Sequence, residues 1–309
     1  TLEDGQDVRI LFHLGASAQG IEQVRQLVRQ YSEPGAAGSE LQAVRRYWRD
    51  TLGVVRIDTP DAAVNTLANG WLLYQTLACR LWARSGHYQS GGAYGFRDQL
   101  QDVMALVLAR PALARDHLLR CAPQQFVQGD VQHWWHPPTN RGVRTRCSDD
   151  YLWLPFATCH YVKVTGDTGV LAEEVGFIEG RLLNPGESSN YDHPIASRES
   201  ASLYAHCALA LSHALSADGA HGLPLIGSCD WNDGMDKVGE AGRGESVWLG
   251  FFLYDTLTRF APVARAQEDL AFAAHCDSEA ARLRLCLEAS GWDGGWYRRA
   301  YFDDGSPLG

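Results

Sequence analysis

Val8, Ile10 and Phe12 alternate with Arg9, Leu11 and His13 ahead of Gly15, a period of two that predicts a half-buried strand. A lone strand needs partners, and no later segment supplies an obvious sheet. Residues 1–15 therefore read as the last strand of a β-domain cut away from the chain. Ile21, Val24, Leu27, Val28 and Tyr31 then recur at helical spacing, as do Leu41, Val44, Tyr47 and Trp48 after a break at Pro34 to Gly38. These two helices make residues 16–62 a helical linker, and Thr59-Pro60-Asp61 reads as the next helix start.

From Val64 onward the pattern predicts helix after helix. Apolar faces run through Leu67, Trp71, Tyr74 and Leu81; Leu100, Met104 and Val107; Leu113, His117 and Leu118; Leu152, Phe156 and Cys159; Leu203, Cys207 and Ala210; Val247, Phe251 and Tyr254; and Leu270 to Leu287. Strand signals are sparse, so 63–309 is expected to be an all-α region. Between the helices lie Gly-, Pro-, Asn- and aromatic-rich stretches at 86–97, 128–148, 184–198 and 216–245. Connections of that length in a helical domain usually carry function, because the scaffold does not need them for packing.

Composition narrows the chemistry. A formal net charge of -10 and a pI near 5.5 argue against nucleic acid, which needs a basic face. The apolar runs, such as Val103 to Ala109, are too short to cross a bilayer, and no basic-then-apolar leader opens the chain. No membrane contact is expected of this segment itself. Eight cysteines show no CxxC spacing in a chain too large to depend on staples, and read as reduced and cytoplasmic. His133 and His136 flank Trp134 and Trp135 without a standard ligand spacing, so no metal is assigned.

Three stretches place polar groups where a ligand could meet them. In Gly95-Phe96-Arg97-Asp98-Gln99-Leu100-Gln101-Asp102, helical geometry puts Asp98, Gln101 and Asp102 on one face and Leu100, Val103, Met104 and Val107 on the other. Either that polar face binds sugar hydroxyls, or Asp98 caps the helix and Arg97 pairs with a neighbouring carboxylate. Asp230-Trp231-Asn232-Asp233 sets two carboxylates, an amide and an indole on an irregular segment before Gly234. Cleaving a glycosidic bond needs a carboxylic acid beside the leaving oxygen, and an indole can exclude water and raise the pKa of that acid; the alternative is a cluster of Asx turns around a core tryptophan. Asp149 and Asp150 precede a helix with Pro155 in its first turns, where capping accounts for at least one carboxylate and the other lines the site.

Taken together, these stretches resemble the glycoside hydrolase family 94 phosphorylases, the cellobiose phosphorylase kind, and above all the carboxy-terminal domain of cyclic β-1,2-glucan synthases. The resemblance rests on Tyr88 to Asp102, Gly129 to Pro138, Arg144 to Asp150, Asp230 to Met235 and Gly244 to Leu249, and covers nearly the whole chain. It implies an (α/α)6 barrel of the six-hairpin glycosidase type, preceded by a β-sandwich and a helical linker. It implies Asp233 as general acid, Arg97 and Asp98 as holders of the sugar on the non-reducing side, and Trp231 as an indole lining that pocket. Gln101, Asp102, Asp149, Asp150, Asp230 and Asn232 complete the expected substrate-binding set. A glycine at position 92, where cellobiose-cleaving relatives carry a nearby arginine, favours the β-1,2-glucan branch. The family's last barrel helices and its phosphate-binding His and Ser/Thr would lie beyond Gly309, making the barrel incomplete.

The leading expectation is an inverting phosphorylase, or part of one, that trims β-1,2-linked glucan with inorganic phosphate as co-substrate and no cofactor. Its partners would be the β-glucan oligosaccharide, phosphate and the missing N- and C-terminal parts of a parent polypeptide, placed as a cytoplasmic domain of an inner-membrane synthase. An inverting hydrolase on the same barrel and a non-catalytic glucan-binding module are the alternatives.

Overall fold

Helical periodicity is realised in most of the expected segments. The computed structural model describes residues 3–8, 10–17, 19–82 and 92–309, which form two compact units, Thr1–Trp71 and Leu72–Gly309. The expected motif residues Tyr88 to Gly91 lie outside the described residues.

In the first unit, α1 (Ile21–Ser32) packs on α2 (Ala36–Leu52), and α3 (Ala62–Thr66) starts where Thr59-Pro60-Asp61 predicts. The Asp61 carboxylate accepts hydrogen bonds from the Ala63 and Val64 amides, satisfying donors that the first helical turn leaves free. The chain then widens into a π-type turn over Leu67–Trp71, broken at Asn69 and Gly70. Val8 and Ile10 to Phe12, expected as a strand, lie exposed and pair with no strand among the described residues. Alternation marks a face that could be buried, but a strand exists only when a neighbour pairs its amides and carbonyls, and none among the described residues does.

The second unit is built on helical hairpins: α4 (Leu72–Gln75) with the π-type turns Thr76–Trp82 after it, α5 (Phe96–Met104), α6 (Pro111–Cys121), α7 (Trp153–Thr165), α8 (Leu203–Ala214), α9 (Val247–Ala266) and α10 (Leu270–Cys286). α5 packs on α6 and α7, α7 on α8 and α9, and α9 on α10. The row α5, α7, α9 contributes Leu100, Val103, Leu154, Ala157, Leu253 and Leu257 to one continuous core. No helix among the described residues is long and apolar enough to cross a membrane.

The all-α expectation is corrected between the hairpins, where the long connections carry strands. These are β1 (Tyr94–Gly95), β2 (Gln132–His136), β3 (Arg141–Thr145), β4 (Glu174–Glu179), β5 (Ser189–Asp192), β6 (Ile195–Ser202), β7 (Glu245–Ser246), β8 (Ala300–Tyr301) and β9 (Pro307–Leu308). They form three small antiparallel sheets, ordered β1-β2-β3-β5, β4-β6 and β7-β8-β9. The 128–148 stretch is thus a hairpin, with Trp134 opposite Val143 and Trp135 opposite Gly142. A Cβ at Gly142 would run into the Trp134 carbonyl, so only glycine lets the strands close there. A register shift between Gln132 and Trp134 hides the alternation that would have announced β2.

The expectation of eight reduced cysteines is also corrected: Cys147 and Cys229 form a disulfide. Bridge pairings of Cys147 with Gly227 and Cys229 bring the two Cα atoms to 4.7 Å across 82 residues of sequence, a proximity that spacing along the chain cannot reveal. Cys79, Cys121, Cys159, Cys207, Cys276 and Cys286 are free thiols.

Candidate active site

The first turn of α5, the segment leading into α7 and the loop Asp230 to Asp233 meet around one arginine and four aspartates. Arg97, in the first turn of α5 and only 7% exposed, donates from Nη1 to Asp149 Oδ1 at 3.2 Å and to the Asp230 carbonyl at 3.2 Å, and from Nη2 to Asp233 Oδ1 at 2.8 Å. Burial works against its charge, but Asp149, Asp150 and Asp233 outweigh it and raise the guanidinium above its ordinary pKa. The pairing reading of Arg97 is thus realised.

Asp149 is fully buried and also accepts from the Trp153 indole N–H at 2.9 Å. Desolvation and the neighbouring Asp150 push its pKa up to about 7, against the opposing pull of Arg97 and Trp153. Asp150, 2% exposed, takes His133 Nδ1 on Oδ2 at 2.7 Å, while its buried Oδ1 has no hydrogen-bond partner. Burial lowers and Asp150 raises the His133 pKa, and the net shift is upward. Neither carboxylate makes a side-chain cap, which corrects the capping expectation: Arg97, Trp153 and His133 take their oxygens instead.

The Asp230 to Asp233 loop divides into a buried anchor and an exposed tip. Asp230 is fully buried; Oδ1 accepts from Arg299 Nη2 at 2.6 Å and the Asn232 amide at 3.0 Å, and Oδ2 accepts from Ser246 Oγ at 2.6 Å. Asn232 Oδ1 in turn accepts from the Gly234 amide at 3.0 Å. These successive Asx turns push Trp231 and Asp233 outward, leaving the indole 52% exposed and the Asp233 side chain 63% exposed. The loop is therefore both an Asx cluster and a presenter of one carboxylate; Trp231 does not shield Asp233 from water here. Cys229 Sγ lies 3.8 Å from Asp233 Oδ1, so the disulfide ties the stem of this loop to the segment carrying Asp149.

The remaining expected residues lie along α5. Asp98 makes no capping bond; its carboxylate lies 3.5 Å from Arg80 Nη2, and Asp102 accepts from Arg80 Nε at 2.9 Å. A Cβ on Gly95 would strike the Asp98 carboxylate, so glycine is what allows that side chain to fold back over the helix start. Gln101 is half-buried on the same helix. The structure brings Arg97, Asp149, Asp150, Asp230 and Asp233 into one network, and leaves Asp98 and Asp102 in a second one around Arg80.

Sequence reasoning weighed His133 only as a metal ligand and gave Ser246 and Arg299 no role. The polar residue before the α9 periodicity is a helix-start signal that could have drawn attention to Ser246, whose Oγ accepts from the Leu249 amide; Arg299 carries no local signal. Two groups of ligand-type side chains also converge, His133, Cys147 and Asp150, and Cys147, Cys229 and Asp233. With both cysteines oxidised, neither group offers a thiolate to a metal. A cavity of about 800 Å³ opens behind the loop stem against Arg146, Cys147, Tyr151, Ser228 and Lys237. Asp233 does not line it, and the chemistry follows the carboxylates rather than the volume.

Residues 47–309 match the glycosyl hydrolase 94 superfamily, catalytic domain. The whole chain aligns, at 48% identity, with 11% of the cyclic beta-(1,2)-glucan synthase NdvB of Rhizobium meliloti. It aligns at 31% identity with 38% of the 3-O-beta-D-glucopyranosyl-beta-D-glucuronide phosphorylase of Paenibacillus borealis, and at 26% with 39% of the N,N'-diacetylchitobiose phosphorylase of Vibrio furnissii. The chain thus spans well under half the length of these relatives.

Proposed function

Because the chain belongs to the glycosyl hydrolase 94 superfamily, we propose that it carries the acid half of an inverting glycoside phosphorylase site, on hairpins that belong to an (α/α)6 barrel. Asp233 is the general acid, and β-1,2-linked glucan is the substrate that the 48% identity to a cyclic β-1,2-glucan synthase favours.

The observation that carries this reading is the inequality among the clustered carboxylates. Asp149, Asp150 and Asp230 are at most 2% exposed and hydrogen-bonded to protein groups, whereas Asp233 reaches solvent from a loop tip. An inverting hydrolase needs a second accessible carboxylate to activate water. A phosphorylase does not, because phosphate arrives as an anion and attacks the anomeric carbon itself. In the proposed step Asp233 gives its proton to the glycosidic oxygen, the C–O bond breaks, and phosphate oxygen bonds the anomeric carbon from the opposite face. Inversion of a β-linkage then yields α-glucose 1-phosphate and a glucan shorter by one unit. Phosphate afterwards supplies the proton that restores the acid.

Product analysis of the natural polypeptide containing this sequence, incubated with β-1,2-glucan and phosphate, tests the reading. Phosphate-dependent α-glucose 1-phosphate is the expected result. Free glucose released without phosphate would make it a hydrolase, and glucan retention with no turnover would make it a binding module.

A further inference from the structure

The segment Trp292 to Asp304, rich in aromatic and charged residues, has no part in the proposed step, yet its side chains grip the acid loop. We infer that Arg299 is a positioning residue for Asp233, acting through Asp230. This rests on the assignment of Asp233 as the acid of a phosphorylase.

Pairing of β7 with β8 sets Ser246 opposite Ala300 and brings the neighbouring Arg299 to the loop. The guanidinium then uses two donors at once: Nη2 to Asp230 Oδ1 at 2.6 Å and Nη1 to Ser246 Oγ at 3.2 Å, while Ser246 Oγ closes the triangle on Asp230 Oδ2 at 2.6 Å. Asp230 is fully buried, so its charge is tolerable only because a cation meets it. Remove that cation and the buried carboxylate loses the partner that fixes its place in the turn. Asp233 sits three residues further along the same turn, and moves with it.

The hairpin holds the far end of the segment as well. The Asp303 carboxylate accepts from the Ala241 amide at 2.7 Å, the Arg243 amide at 2.7 Å and the Gly244 amide at 2.9 Å. Arg299 and Asp303, at either side of β8, thus clasp the two ends of residues 230–244. Lysine at 299 would keep the charge but lose the planar fork that reaches both Asp230 and Ser246.

The experiment compares Arg299→Gln, Arg299→Lys and Ser246→Ala with wild type in the natural polypeptide containing this sequence, by phosphorolysis kinetics on β-1,2-glucan and by amide hydrogen exchange. A misplaced acid predicts a fall in kcat of roughly 10²-fold for Arg299→Gln, with KM for glucan within a few-fold and partial recovery in Arg299→Lys. Amides of 231–234 should exchange faster, with those of α5 and α7 unchanged. A kcat for Arg299→Gln within two-fold of wild type, or faster exchange spread evenly over the whole chain, would overturn the inference. Should Arg299→Gln fail to fold, Ser246→Ala decides: slower turnover with loosened 231–234 amides supports the clasp, and unchanged turnover rejects it. Absence of phosphorolysis in the wild type would overturn the phosphorylase reading itself; the exchange pattern would then still report whether Arg299 holds the loop.

Discussion

Arg97 Nη2 and Asp233 Oδ1 lie 2.8 Å apart, joining the first turn of α5 to the tip of a loop 136 residues further along the chain. The same guanidinium holds Asp149, so one buried cation sets the distance between an exposed carboxylate and the helical core behind it. Arg97 is therefore the link through which the scaffold reaches the proposed acid.

Asp233→Asn keeps the shape of the loop tip but removes the transferable proton. Turnover on β-1,2-glucan should fall by roughly 10²–10⁴-fold, with glucan affinity nearly unchanged. Kinetics and calorimetric binding in the natural polypeptide check both halves. Turnover within a few-fold of wild type would move the acid elsewhere, and the complete burial of Asp230 makes it a poor substitute.

Asp98→Ala tests whether the second network, around Arg80, faces the sugar. The 3.5 Å contact with Arg80 is half-exposed and contributes little to stability. A hydrogen bond to bound sugar would be worth about 1.5–3 kcal/mol in affinity. The expected outcome is weaker glucan binding with a melting temperature close to wild type. A large drop in melting temperature with affinity intact would make Asp98 structural.

Two groups at the site each make a contribution to stability whose dependence on pH has a definite sign. Asp149, with a pKa raised to about 7, keeps a proton in the folded chain after the unfolded chain has lost it, so its contribution declines as pH rises from the ordinary carboxylate range toward about 7. His133, also raised, contributes fully below the ordinary histidine pKa and loses that contribution as pH climbs through its folded value. His160 and His206, whose pKa values burial lowers, act in the opposite sense as pH rises toward the ordinary histidine range. The test is therefore the difference in melting temperature between wild type and His133→Gln, which should shrink as pH rises; a difference that does not change with pH would contradict this assignment.

Among the described residues, the arginines around the site are already engaged. Arg97 and Arg299 bind carboxylates, Arg144 binds both oxygens of Asp130, and Arg146 donates to the Glu187 and Asn184 carbonyls at 2.9 and 2.8 Å. Phosphate held by any of these would have to displace its present partner. The 309-residue chain tested alone should accordingly release little or no α-glucose 1-phosphate, since positioning a nucleophile can account for roughly 7–11 kcal/mol of a barrier. A rate comparable with that of the natural polypeptide would point instead to a phosphate site built on Arg97, Arg144, Arg146 or His136.

The apolar faces of α5 to α8 were legible in sequence because helical packing writes a repeating pattern, whereas α9 buries Leu249, Leu253 and Leu257 and leaves Phe251 of its expected face exposed, as α10 leaves Leu270. The Asp230 to Asp233 loop was legible too, since local turn chemistry and the mixture of carboxylate, amide and indole are properties of adjacent residues. Tertiary structure decided what adjacency cannot encode. It separated two aspartates of one motif into a buried anchor and an exposed tip, because Arg299 and Ser246 arrive from distant segments to satisfy Asp230 in the interior while Asp233 meets Arg97 at the surface. It paired β2 with β3 across a bulge, oxidised Cys147 with Cys229, and left residues 10–12 unpaired despite their alternation. Periodicity records which face a segment can bury; which charge meets which, and which strand finds a partner, is settled only when segments far apart in sequence are brought within hydrogen-bonding distance.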